Sequence, residues 1–302
     1  MMLQLETILD FVCEQGQGYK YFGEENISVE GFCALSNLKR NCITWIKHLE
    51  SFDLSTVDKE FNILFVSNTP DGISAPEGYN VLMCKDPKAV FFSILNRFWK
   101  KNQYVGVAPT AVVETTQIGK NVSIGHNCYI SPDVVIGDDV VIEPNVSIIN
   151  KAVIGDRVLI HAGARLGTDG YGYFADINGL NRKVEHYGGI VIGADSEVGA
   201  NTCIDRGTLD DTVIGRNVKI DNLCHIAHNV NIEDNSMIIA LSMLGGSSHL
   251  MRGAYIAPGA MVINQATIGE DAYVGMGAVV VKDIPDNKVV AGVPAKILRD
   301  NK

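Results

Sequence analysis

The chain has 302 residues, a net charge of −10 and 20% charged residues, a balance that argues against nucleic acid or an anionic membrane surface as a general partner. Its seven cysteines are odd in number and lack a CxxC pair, so reduced and mostly buried thiols are expected. Reduced thiols point to a cytoplasmic protein; no membrane span is expected, because no apolar run is long enough to cross a bilayer, and Met1 to Cys13 lacks the basic start of a signal peptide.

Residues 1–103 read as a small α/β domain. Leu3 to Glu14 has helical spacing, and Asn62 to Val66 reads as a buried strand. Pro87 to Lys100 reads as an amphipathic helix with Val90, Phe91, Ile94, Leu95 and Phe98 on one side. A polar stretch, Lys100-Lys101-Asn102-Gln103, then leads into a different pattern near Val105.

From Ile118 onward an aliphatic residue returns at every sixth position. Ile118, Ile124, Ile130, Ile136 and Ile142 begin a run that reaches Leu166. Ile192, Val198 and Ile204 form a second run, and Ile214 to Val280 a third. A helix needs returns at three and four residues and a half-exposed strand at two, so this period predicts a parallel β-helix. Three repeats close one coil, and stacking of coils buries the aliphatic positions. Two insertions break the count. Residues 168–189 form a long loop rich in glycine and aromatics, and residues 208–213 a shorter one. The aromatic content of the first marks it as part of a site.

Three segments carry a resemblance. They are Gly167-Thr168-Asp169-Gly170-Tyr171-Gly172-Tyr173, Ile204-Asp205-Arg206-Gly207-Thr208-Leu209-Asp210-Asp211-Thr212, and Ile226-Ala227-His228-Asn229-Val230. With the six-residue repeat, they resemble the left-handed β-helix acyltransferases, and within them the UDP-3-O-acylglucosamine N-acyltransferases of lipid A biosynthesis. The fold implied is mainly β: a left-handed parallel β-helix over 104–285, a small N-terminal α/β domain over 1–103 and a C-terminal tail over 286–302. The resemblance also implies a homotrimer with active sites between subunits. A weaker match, Leu35-Ser36-Asn37 with Lys39, lies where the family binds a uridine nucleotide. Ala34 and Arg40 stand where the family has aromatics flanking that nucleotide. The family's helical C-terminal extension, which helps dock acyl carrier protein, is replaced by Val290-Ala291-Gly292-Val293-Pro294-Ala295-Lys296. That ending resembles the coenzyme A-dependent sugar acetyltransferases. The acyl donor is therefore expected to be a thioester of acyl carrier protein or coenzyme A, with no tightly bound cofactor.

N-acylation of an amino sugar needs a base for the amine proton and donors for the thioester oxyanion. His228 lies two places after an inward Ile226, at the coil's edge, and falls in the family's catalytic motif. Gly246 lies one full coil further on, so stacking places its backbone over His228, where its N–H can serve the oxyanion. Asp221 is the first candidate to orient His228, with Asp210, Asp211 and Asn229 as rivals. Asn37, Lys39, Asp169, Tyr171, Tyr173 and Asn229 are the candidate substrate contacts. His225 is assigned to a corner rather than to the chemistry. The family's second histidine has no counterpart in Asn264-Gln265-Ala266-Thr267. No metal site is expected, since His225, His228 and His249 lack whole-coil spacing. The expected reaction is acyl transfer from an acyl thioester to the amino group of a nucleotide-activated amino sugar. The alternatives are a coenzyme A-dependent nucleotide-sugar N-acetyltransferase and a catalytically silent trimeric nucleotide-sugar-binding scaffold.

Overall fold

The computed structural model describes residues 2–68, 76–100 and 105–301. They form two compact units, 1–102 and 103–302. The expected linker falls largely outside the described residues.

The first unit is a five-stranded sheet in the order Tyr19–Phe22, Asn80–Cys84, Leu64–Asn68, Cys42–His48, Gly31–Phe32. Its neighbours are parallel except for Tyr19–Phe22, which runs antiparallel to Asn80–Cys84. The N-terminal helix is shorter than the sequence suggested, at Leu5–Glu14, because Leu3–Gln4 pairs as a strand with Ser28–Val29. The helix Pro87–Phe98 starts where Asp86 accepts a hydrogen bond from the Ala89 N–H at 2.9 Å, with Pro87 in the first turn. Its apolar face packs into the core through Val90, Phe91 and Ile94, with Leu95 and Phe98 half-buried beside them.

The second unit is the left-handed parallel β-helix of the hexapeptide-repeat proteins. Its three faces are stacks of short parallel strands. Between Ser123 and Val280 partners are three repeats apart wherever no insertion intervenes, as in Ser123↔Val141, Tyr129↔Ser147 and Val134↔Ala152. The six-residue period therefore becomes columns of buried aliphatic side chains. Ile118, in the open first coil, is only partly covered. Turns close through left-handed residues such as Asn121, Asp139, Asn217 and Asn235, a conformation Asn and Asp tolerate. At one corner the turn N–H is also satisfied from the next coil: Asp138 accepts from Lys120, Asp156 from Asp138, and Asp234 from Arg216.

Each inward aliphatic residue touches coils above and below, so truncation leaves a cavity that neighbours cannot fill. Ile160→Ala, at a fully buried position, is expected to cost about 2–5 kcal/mol. The denaturation midpoint measures this, and a change under about 1 kcal/mol would contradict the stacked-core description.

Residues beyond 285 were expected as a separate tail, but the coil face continues through them. Lys288–Ala291 pairs in parallel with Tyr273–Val274, and Lys296–Asp300 folds back antiparallel on it. Val290 is buried opposite Val274, so an inward aliphatic residue extends the column after a shortened turn. The insertion at 168–189 contains an antiparallel hairpin of Tyr173–Ala175 and Asn181–Lys183. Five of the seven cysteines are buried, and none is disulfide-bonded.

Candidate active site

His228 follows the strand His225–Ile226. Ile226 points into the core, so the chain turns at Ala227 and the imidazole projects outward at the corner. Two backbones and a second imidazole enclose it. A Cβ on Gly246 would lie 2.8 Å from His228 Cε1 and Nε2. A Cβ on Gly170, in the long insertion, would lie 2.6 Å from His228 Cδ2. Only glycine leaves room for the ring at either place. The ring of His186, from the same insertion, meets that of His228 edge to face, with centroids 5.4 Å apart.

The hydrogen bonds fix which nitrogen is basic. The Thr208 N–H donates to Asn229 Oδ1 at 3.0 Å, and the Thr208 hydroxyl lies 2.9 Å from the same atom. A backbone N–H can only donate, so that atom is the amide oxygen. His228 Nδ1 lies 3.1 Å from it and must carry the hydrogen. In the neutral imidazole Nε2 is then the nitrogen with the lone pair, on the edge that faces Gly246. Asn229 is held in turn by its own N–H, which donates to Thr212 Oγ1 at 2.9 Å, and by Nδ2 donating to the Asp210 carbonyl at 3.3 Å. The short insertion therefore supplies the second layer of support behind the histidine. Asp211 anchors it: the Lys151 ammonium lies 3.0 Å away and the Gly189 N–H 2.7 Å. Burial pushes the Asp211 carboxyl up, but these bonds outweigh it and hold it below its ordinary value.

Gly246 contributes a donor. Its carbonyl accepts from the Gln265 N–H at 2.9 Å, while its own N–H meets no partner among the described residues. At the carboxylate-capped corner the matching N–H groups are occupied. This open N–H and His228 line one cavity of about 330 Å³ with Tyr171, Asp205, His225, Asn264 and Gln265. An imidazole and a backbone N–H without a partner among the described residues thus belong to residues that line one space.

Tyr171 reaches the cavity, and its ring lies 5.0 Å from that of Tyr173. Asp169 forms an ion pair with Lys183 at the base of the insertion's hairpin. Asn37 and Lys39 are exposed on a turn of the first unit. Asp221 is not the residue that orients His228. It follows Ile220 on another face, where its carboxylate accepts from the Asn222 and Ala240 N–H groups. Asn229, next in the chain, takes that role because its left-handed turn (φ 59°) brings its amide back to the imidazole. His225, assigned to a corner, lines the cavity and lies 3.7 Å from Asp205. Asn264 and Gln265 stand in the wall where the resemblance looks for a second histidine. His249 pairs with Glu233 at 2.9 Å on the third face, apart from His225 and His228. The sequence reading missed Asp205, Thr208 and His186. Carrying the coil count through the short insertion, so that Ile204 pairs with Ile226, would have found Asp205.

The description "bacterial transferase hexapeptide (six repeats)" matches residues 115–150, 133–168 and 211–246. A UDP-3-O-acylglucosamine N-acyltransferase of Delftia acidovorans is 38% identical over 217 residues, 70% of this chain and 64% of the relative. A UDP-3-O-acylglucosamine N-acyltransferase 2 of Legionella pneumophila (strain Philadelphia 1) is 51% identical over 100 residues, 33% of this chain and 29% of the relative. The chain thus spans less than two thirds of the length of these curated relatives. A solved UDP-N-acetylglucosamine acyltransferase of Francisella novicida superposes with a TM-score of 0.60 at 26% identity, covering 65% of this chain and 71% of that one. The chain is a left-handed β-helix protein of the hexapeptide-repeat class, similar along its coils to the UDP-3-O-acylglucosamine N-acyltransferases.

Proposed function

We propose that the protein moves an acyl group from an acyl thioester to the amino group of a nucleotide-activated amino sugar, an acceptor like UDP-3-O-acylglucosamine. The observation that carries this reading is the cavity shared by His228 and Gly246, whose Nε2 and N–H both lack a hydrogen-bond partner among the described residues. The neutral amine attacks the thioester carbon, and its proton passes to His228 Nε2. The Gly246 N–H donates to the oxyanion of the tetrahedral intermediate. Collapse of that intermediate expels the thiolate, which takes the proton back from the imidazolium. No acyl-enzyme is required.

Asn37 and Lys39 are proposed to meet the nucleotide, and Tyr171, Tyr173, Asp169 and Asn229 to border the acceptor. The active assembly is proposed to be a cytoplasmic homotrimer. Exposed apolar residues along the coils, among them Leu209, Leu223, Leu241 and Met276, suit packing between copies. The donor is an acyl-carrier-protein or coenzyme A thioester. Coenzyme A is the second reading, on the resemblance of Val290–Lys296 to the endings of coenzyme A-dependent sugar acetyltransferases.

Asn229 offers a test of the tautomer. Asn229→Ala is expected to lower kcat about ten-fold or more, while Asn229→Asp, which keeps an acceptor, retains most of it. Steady-state kinetics with the substrate pair that supports turnover decide the matter. Turnover by the alanine variant within two-fold of the parent would remove Asn229 from this role.

A further inference from the structure

A buried carboxylate beside the base is not used by the mechanism above. Asp205 lies one place past Ile204, which pairs with Ile226, so it reaches the corner from which His228 projects. Its side chain is 9% exposed and lines the same cavity as His228. Thr168 Oγ1 donates to its Oδ1 at 3.0 Å, and His225 Nε2 lies 3.7 Å from its Oδ2. His186 packs edge to face against His228. Its Nδ1 lies 2.9 Å from the Val184 carbonyl and therefore bears hydrogen, while its buried Nε2 has no hydrogen-bond partner among the described residues. His225 and His228 thus line one cavity with the carboxylate, His186 packs against His228, and the one whose function needs a positive charge, His228, has only a neutral amide on Nδ1.

That asymmetry has a chemical consequence. When His228 accepts the amine proton, a cation forms in a partly dry cavity, and Asn229 orients it without neutralising it. A buried carboxylate that lines the same cavity supplies the missing charge, where screening by water is weakened. We propose that Asp205 is the positioning residue that stabilises the His228 imidazolium during acyl transfer. The proposal rests on the acyl-transfer reading for its role, but not for the coupling itself. Among the described residues, the charged or titratable groups around Asp205 include His225 and His228 on the next coil, His186 in the insertion, Tyr171 in the cavity wall, Cys203 on its own strand, and the paired Asp169 and Arg206 in the next register. Burial raises the Asp205 carboxyl above its ordinary value, and His225, Thr168, His228 and His186 each oppose that rise.

Coupling between two sites is reciprocal, so it can be read from either one. The first experiment follows the Asp205 carboxyl carbon by NMR titration of the whole protein without substrate. Its midpoint is expected above the usual carboxylate range, and higher still in His228→Ala. An unchanged midpoint in that variant would overturn the proposal, whatever the enzyme's activity. The second measures kcat against pH for Asp205→Asn, which keeps the shape of the side chain. We expect a loss on the order of ten-fold, with the acid limb displaced to lower pH, because the base holds its proton less strongly without the carboxylate. A loss of activity with the profile unmoved would mark Asp205 as merely structural and refute the assignment. If the parent enzyme shows no acyl transfer, the acyl-transfer reading fails by itself, and the carboxyl titration still decides the coupling.

Discussion

His228→Ala is expected to lower kcat by about 10²–10⁴-fold, the usual contribution of a positioned general base. The substitution removes the one Nε2 lone pair that faces Gly246 across the cavity. It removes no inward packing, because the core contact of this repeat belongs to Ile226. The thermal midpoint should therefore move by no more than a few degrees, and KM for the amino sugar should change far less than kcat. Kinetics on purified protein, with a circular dichroism melt as control, separate the two effects. A variant that keeps more than a tenth of parent turnover would remove His228 from the role of base.

Gly246→Ala is expected to cost about 10²-fold or more in kcat. The added methyl would sit 2.8 Å from His228 Nε2 and Cε1, closer than any real side chain packs. The imidazole must move, or the methyl fills the space meant for the reacting carbonyl. Either displacement takes the oxyanion away from the Gly246 N–H, and loss of one such donor is worth about 10²–10³-fold. The backbone itself can accept alanine, because Gly246 is not among the positive-φ glycines, so folding should persist. If Gly246→Ala turns over within three-fold of the parent, the cavity does not house the reaction.

The six-residue period made the coil legible, because inward burial repeats without reference to anything outside it. Counting whole coils also placed Gly246 beside His228, and the structure draws the two within contact. What the period could not carry was the route of the insertions. Gly170 and His186 come from residues 168–189, whose path over the corner obeys no repeat, so the walls of the imidazole's pocket were invisible in sequence. Asp221 lies about one repeat before His228, and a single repeat moves the backbone to the next face. Asn229 was underrated because its left-handed turn folds its amide back on the preceding residue, which a strand count does not show. In the first unit, periodicity found both helices and a core strand but not the pairing of Leu3–Gln4, which depends on Ser28–Val29, a partner beyond the whole first helix and the strand Tyr19–Phe22.

The central claim is that one cavity joins a thioester to an amine. The most direct measurement pairs the purified protein with acyl-carrier-protein and acyl-coenzyme A thioesters across a panel of UDP- and dTDP-amino sugars, following free thiol and amide product by mass. The expected result is thiol release that requires the amino sugar, with one amide formed per thiol and both abolished in His228→Ala. Folded protein that releases no thiol with any pair, or releases it equally without the amino sugar, would contradict the claim and leave a binding scaffold or a hydrolase.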